Sequence, residues 1–101
     1  MLINTIREAD GSVVIDLRGE LDVSSADRLR QILTDAAGLR PKAIVVDLLG
    51  VTFIDSTGVG VLVGGRHTAR VNQVAYSVRN PGAFVESLLR KTGLYGPLVA
   101  E

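Results

Sequence analysis

A run of four residues, Ala43-Ile44-Val45-Val46, does more than any other segment to narrow the fold. It is continuous, apolar and rich in β-branched side chains, and stretches of helical periodicity lie on either side of it. Such a run suits a central strand of a parallel sheet, covered on both faces. Parallel neighbours need a crossover, usually a helix, so the flanking segments should be helical.

The rest of the chain supplies those parts. Leu2 to Arg7 and Ser12 to Arg18 read as strands, and Asp10-Gly11 between them favours a tight hairpin turn. In the second strand Val13, Ile15 and Leu17 face one way and Asp16 and Arg18 the other, with Val14 breaking the pattern. A helix follows, with Ser24 as its cap, Asp27 three residues on as the partner of a capping box, and Leu29, Ile32, Leu33 and Ala36 as its buried stripe. Gly38 and Pro41 end it. Beyond Asp47 the strand pattern breaks, and a second helix is expected from about Gly58 to Arg70, with Val59, Leu62 and Val63 on one face. Gly64-Gly65 inside it costs on the order of 1 kcal/mol per glycine relative to alanine, the signature of close packing or of a frayed helix. Val74, Tyr76 and Val78 alternate as a further strand. Asn80-Pro81 then reads as a cap with proline at the first helical position. Phe84, Val85, Leu88 and Leu89 form that last helix's apolar face, Gly93 ends it, and Tyr95-Gly96-Pro97 breaks the chain before a short tail. The expected class is α/β: one domain over 1–101 with a mixed, mostly parallel sheet of about four strands and helices packed on it.

Several functions conflict with the composition. The 101 residues carry 11 Lys plus Arg and 11 Asp plus Glu, a balance with no clustered cations for a nucleic-acid backbone. Four aromatics make a poor base-stacking platform. No apolar stretch approaches the roughly 18 residues of a membrane span, and the start lacks a signal region, so a soluble, cytoplasmic protein without direct membrane insertion is expected. With no cysteine, disulfides, thiolate metal sites and cysteine nucleophiles are all absent.

The segment Asp55-Ser56-Thr57-Gly58 lies where a buried strand gives way to a helix, the end of an open sheet at which sites gather. Asp55 or Ser56 can cap that helix. A serine at the helix lip is also within reach of another protein, and phosphate on it would meet free helix amides. His67, the only histidine, stands eleven residues down the same helix, roughly 16 Å away, which excludes a direct Ser-His hydrogen bond. In Gly58-Val59-Gly60-Val61-Leu62-Val63 the third glycine of a dinucleotide fingerprint is replaced by Val63, and Arg79-Asn80 stand where the ribose-binding acid is needed. Asp22, Asp47 and Asp55 have no spacing of a known calcium or magnesium loop. No catalytic residue, cofactor or metal is therefore expected, and the chain does not read as an enzyme.

At these residues the sequence resembles the STAS domains of anti-sigma-factor antagonists. Gly19-Glu20-Leu21-Asp22, the stretches Ile44 to Leu48 and Val51 to Gly60, Asn80-Pro81 and Leu88 to Leu94 carry the likeness, which spans nearly the whole chain. The resemblance implies the STAS fold and a phosphorylation switch. The unmodified antagonist binds an anti-sigma factor that is also a serine kinase and so frees the sigma factor. The kinase phosphorylates the serine matching Ser56, the complex dissociates, and a serine phosphatase resets it. By the same resemblance Asp22 and Asp55 are the acids beside that serine, and Thr57, Gly58 and Val59 belong with them to the partner-binding surface. Thr57 offers a second hydroxyl next to Ser56. The alternative expectation is a non-switching STAS scaffold, or a regulatory subunit of a signalling or membrane-associated complex, in which the serine is a cap only.

Overall fold

The computed structural model describes residues 1–99. Leu2–Arg7 (β1) and Ser12–Leu21 (β2) form an antiparallel hairpin with Arg7 opposite Val13. At its turn the Gly11 amide donates to the Glu8 carbonyl at 3.2 Å and the Glu8 amide to the Ser12 carbonyl at 2.8 Å. Gly11 takes φ +92°, which glycine adopts without a Cβ penalty, so the turn expected at Asp10-Gly11 forms as a three-residue loop.

Helix Val23–Gly38 (α1) leads to Ala43–Ile54 (β3), and helix Ser56–Val71 (α2) leads to Ala75–Arg79 (β4). β2, β3 and β4 are parallel neighbours, and the order across the sheet is β1-β2-β3-β4. This is the mixed four-stranded sheet expected from the sequence. Both crossovers step the same way, so their right-handedness puts α1 and α2 on one face, packed against each other. Val13, Ile15 and Leu17 of β2 and Ile44, Val46 and Leu48 of β3 meet Leu29 and Leu33 of α1 and Leu62 of α2 in a single core. Fully buried side chains such as Leu17, Leu29 and Leu62 contribute about 1.5–3 kcal/mol each. Helices Ala83–Lys91 (α3) and Tyr95–Leu98 (α4) complete the chain.

Several local expectations are corrected. β3 does not stop at Asp47 but runs on to Ile54 through two register shifts: Asp16 lies opposite Asp47, Arg18 opposite Gly50, Gly19 opposite Val51 and Glu20 opposite Phe53. Each shift inserts one extra residue on β3, which breaks the period-two pattern without ending the strand. Leu48 is buried while its neighbour Leu49 is 77% exposed. β3 is also covered on one face only, for Ala43, Val45 and Asp47 are half-buried on the other. β2 extends past Arg18 to Leu21, so α1 starts early and Asp22, not Ser24, is its cap. Asp27 is exposed and pairs with Arg30 instead of closing a capping box. Ile32 is half-buried, and Ala26 and Ala37 join the stripe.

On α2 the buried face contains Val61, and Val63 is exposed. Gly65 lies against the sheet side: a Cβ there would fall 2.7 Å from the Tyr76 hydroxyl and 2.9 Å from Leu33 Cδ1, while Gly64 faces open space. The Tyr76 hydroxyl donates to the Leu62 carbonyl at 2.9 Å beside that contact. Close packing at Gly65, not fraying, accounts for one glycine of the pair. Asn80 does not cap α3. It takes φ +55° and its amide donates to Asp47 at 3.2 Å, so the helix begins later, with Gly82 as N-cap. Phe84 points outward onto Phe53, and Val85 and Leu89 are the residues α3 buries. The Tyr95-Gly96-Pro97 segment forms the short α4 where only a break is expected from sequence, and Val99 after it bridges Val78 in parallel, extending the β4 edge.

Candidate docking and modification site

Two helix N-termini lie side by side at the carboxyl ends of β2 and β3. β2 ends at Leu21 and Asp22 caps α1; β3 ends at Ile54 and Asp55 caps α2. The Asp55 amide donates to the Leu21 carbonyl at 3.3 Å, tying the two ends together. Gly58 makes the close approach feasible. A Cβ at Gly58 would stand 2.4 Å from the Leu21 carbonyl oxygen and 2.8 Å from Ile54 Cγ1, so only glycine lets α2 press onto the end of β2.

The two aspartates are committed to their caps. Asp55 Oδ1 accepts from the Gly58 amide at 2.9 Å. Asp22 Oδ1 accepts from the Ser24 amide at 2.9 Å and the Ser24 hydroxyl at 2.6 Å, while the Asp22 amide donates to Ser25 Oγ at 3.1 Å. Ser25 is itself buried and donates onward to the Glu20 carbonyl at 2.9 Å, so the capping box is closed by Ser25. The Ser24 hydroxyl first, then the Ser24 and Ser25 amides, hold the Asp22 carboxyl below the usual carboxylate value. A carboxylate with a lowered folded pKa contributes stability above its unfolded pKa of about 3.9, and that stability is lost as pH falls through the folded value. Asp22→Asn keeps a capping side chain but cannot titrate. Its stability is therefore expected to fall less steeply as pH drops below about 4 than that of the unaltered protein, measured by urea unfolding at a series of acidic pH values.

With Asp55 as the cap, Ser56 becomes the first residue of α2 and its side chain is exposed. Thr57 is half-buried, and Gly58 and Val59 are buried. The residues singled out in the sequence thus form one locality, with Ser56 outermost and Gly58 and Val59 beneath it. The amides of Ser56 and Thr57 are first-turn donors with no acceptor inside the helix. His67 is exposed on the same helix, out of reach of Ser56. Asp47 does not join Asp22 and Asp55. Burial would raise its pKa, but the Leu49 amide at 3.0 Å, the Asn80 amide and the Arg79 guanidinium at 3.2 Å outweigh that and lower it. Among the described residues no group of three or more His, Asp or Glu side chains is placed to hold a metal ion, and no helix is long and apolar enough to cross a membrane.

Sequence reasoning missed Phe53. It stands two residues before Asp55 and stacks on Phe84, with ring centroids 6.1 Å apart and planes inclined 22°. The two rings, both partly exposed, form an apolar patch at the end of β3. The signal was present in the chain: with Ile54 pointing inward, Phe53 has to face outward.

The family model described as "Mlab, STAS domain" matches residues 4–100. The anti-sigma-F factor antagonist RsfB of Mycobacterium tuberculosis is 31% identical over 58 residues, 57% of this chain and 48% of that protein, so the chain matches about half the length of this curated relative. A putative anti-sigma factor antagonist from Thermotoga maritima superposes with a TM-score of 0.86 at 21% identity, over 96% of this chain and 83% of that one. The Bacillus cell fate determinant SpoIIAA in its phosphorylated form gives 0.77 at 24% identity, over 98% and 89%. The sheet order, the paired helix N-termini and the match across nearly the whole length place this chain in the STAS domain family.

Proposed function

We propose that this protein is an anti-sigma-factor antagonist whose unmodified form docks on an anti-sigma factor with serine kinase activity, and that phosphate on Ser56 ends the docking. Release of the sigma factor follows docking, and a serine phosphatase restores the binding form in the cytoplasm. The observation that carries this reading is the position of Ser56. Its hydroxyl is exposed on the first turn of α2, and the cap belongs to Asp55, so modification removes nothing that holds the helix. The likeness to RsfB supports the partner class. Asp22, Asp55, Thr57, Gly58 and Val59 form the surroundings of the docking face, the buried Gly58 and Val59 acting by setting the position of the helix.

The test is to incubate the protein with its anti-sigma-factor kinase and ATP and to locate phosphate by mass spectrometry. One phosphate on Ser56, and none on Ser56→Ala, is expected. Phosphate confined to Thr57, or none at all, would contradict the proposal. The latter result supports the second reading, a non-switching STAS scaffold or regulatory subunit, in which the serine does no more than stand at the helix start.

A further inference from the structure

We propose that two copies of this chain associate through their β1 strands, pairing antiparallel about a two-fold axis at Asn4 to give one continuous eight-stranded sheet. β1 is an edge strand, and five of its six residues are exposed. Of the devices that usually blunt an edge it carries no proline, no lysine and no bulge, and only one charge, Arg7 at its end. Its start is held in place by Arg28, which donates to the Met1 carbonyl at 3.0 Å.

The hairpin fixes which backbone groups are free. The Glu8 amide points to β2, where it reaches the Ser12 carbonyl. Hydrogen-bonding direction alternates along an antiparallel strand, so Leu2, Asn4 and Ile6 also face β2 and Ile3, Thr5 and Arg7 present their amide and carbonyl groups outward. Antiparallel pairing about Asn4 sets Ile3 of one copy opposite Thr5 of the other, twice by symmetry, and both residues belong to the outward set. Four backbone hydrogen bonds close in that register.

The side chains are self-complementary in the same register. Leu2 and Ile6 lie on the open face of the sheet, beside Arg18 and Val14, and are 65% and 46% exposed. Pairing about Asn4 puts each Leu2 directly opposite the other copy's Ile6 and each Asn4 opposite its equivalent. Arg7, the one charged residue of the strand, falls outside these central pairs. On the opposite face, a groove of about 230 Å³ lies open between β1 and α1, its apolar wall formed by Val13, Ile32, Ala36 and Leu39 and its polar rim by Thr5, Arg7 and Asp35. Ile3 of the second copy, facing Thr5, is positioned to enter it. The contact is small, six residues a side against the roughly 20–30 of a stable interface, so association is concentration-dependent. The proposal concerns the β1 edge and is independent of the role of Ser56.

Sedimentation velocity over a wide concentration series tests it. The unaltered protein is expected to shift from the mass of one chain to that of two. Thr5→Pro removes an outward amide that the monomer does not use, and is expected to abolish the shift while far-UV circular dichroism stays unchanged. Leu2→Lys and Ile6→Glu alter exposed side chains only. Each alone is expected to weaken association by about tenfold, acting twice through symmetry, and the double variant to recover it by facing opposite charges across the axis. A protein that stays monomeric throughout, a dimer indifferent to Thr5→Pro, or a double variant no better than the singles would overturn the proposal.

Discussion

Gly58→Ala is expected to lower the stability of the protein by about 1–3 kcal/mol, the usual cost of overpacking a site that cannot yield. The methyl group would stand 2.4 Å from the Leu21 carbonyl oxygen, 2.8 Å from Ile54 Cγ1 and 2.9 Å from Leu21 Cγ. The nearest of these is backbone in the last residue of β2, so it cannot rotate away. Relief requires the start of α2 to lift, which stretches the Asp55–Leu21 backbone hydrogen bond and moves Ser56. Gly60→Ala and Gly64→Ala are the controls. Both glycines lie in the same helix, and an added methyl group would meet nothing within 4 Å, so alanine should stabilise by about 0.5–1 kcal/mol. Urea unfolding of the three variants gives opposite signs if the close approach is real. Equal stabilisation of all three would show that Gly58 is not where α2 meets β2.

Ser56→Asp is expected to weaken binding to the proposed anti-sigma-factor partner by roughly a hundredfold, and Ser56→Ala to leave it close to that of the unaltered protein. The new carboxylate lies next to Asp55. In water, a unit like-charge pair about 5 Å apart repels by about 1 kcal/mol, and at an effective dielectric of about 20, inside a formed interface, by about 3 kcal/mol. Docking thus adds on the order of 2–3 kcal/mol of repulsion, between one and two decades in affinity, and the desolvation of the charge adds to it. Phosphate, at about −1.5 to −2 charges, acts more strongly still. The isolated domain does not suffer the same loss. A negative charge in the first turn of α2 is favoured by about 0.3–1 kcal/mol through the free amides and helix dipole, which offsets the repulsion from Asp55 in water, so the melting temperature of Ser56→Asp should change little. Isothermal titration and thermal melting of the two variants separate these effects; equal affinity of both would remove the electrostatic basis of the switch.

The architecture was legible because its strongest signals are long-range in effect and local in form. The Ala43-Ile44-Val45-Val46 run, the alternation of Val13, Ile15 and Leu17, and the apolar spacing of Leu29 and Leu33 each specify an element and its inward face. With two crossovers, little freedom in topology remained. Boundaries were harder wherever tertiary contacts choose among equivalent local options. Asp22 and Ser24 are both competent caps, and the choice depends on how far β2 stays paired with β3, to Leu21 opposite Ile54. Asn80 is a good cap as well, but Asp47, 33 residues away, holds its amide. The bulges around Gly50 hid seven residues of strand, Leu48 to Ile54, because a register shift has the same pattern as an ending.

The site was legible as a locality more than as a geometry. Asp55-Ser56-Thr57-Gly58 at a strand-to-helix junction is visible in the chain, but which of Asp55 and Ser56 caps the helix is not. That choice matters, since it leaves the Ser56 side chain free. The steric demand at Gly58 comes from Leu21, which is remote in sequence, and Phe53 gains its meaning from Phe84 on another helix.

The most direct measurement is a titration of the proposed anti-sigma-factor partner with protein carrying one phosphate on Ser56, set beside the unmodified protein, with the melting temperature of each recorded. An affinity lower by at least about a hundredfold, with little change in melting temperature, is the expected result. Unchanged affinity, or a loss of binding accompanied by unfolding, would contradict the idea that charge at this exposed hydroxyl governs docking on an intact domain.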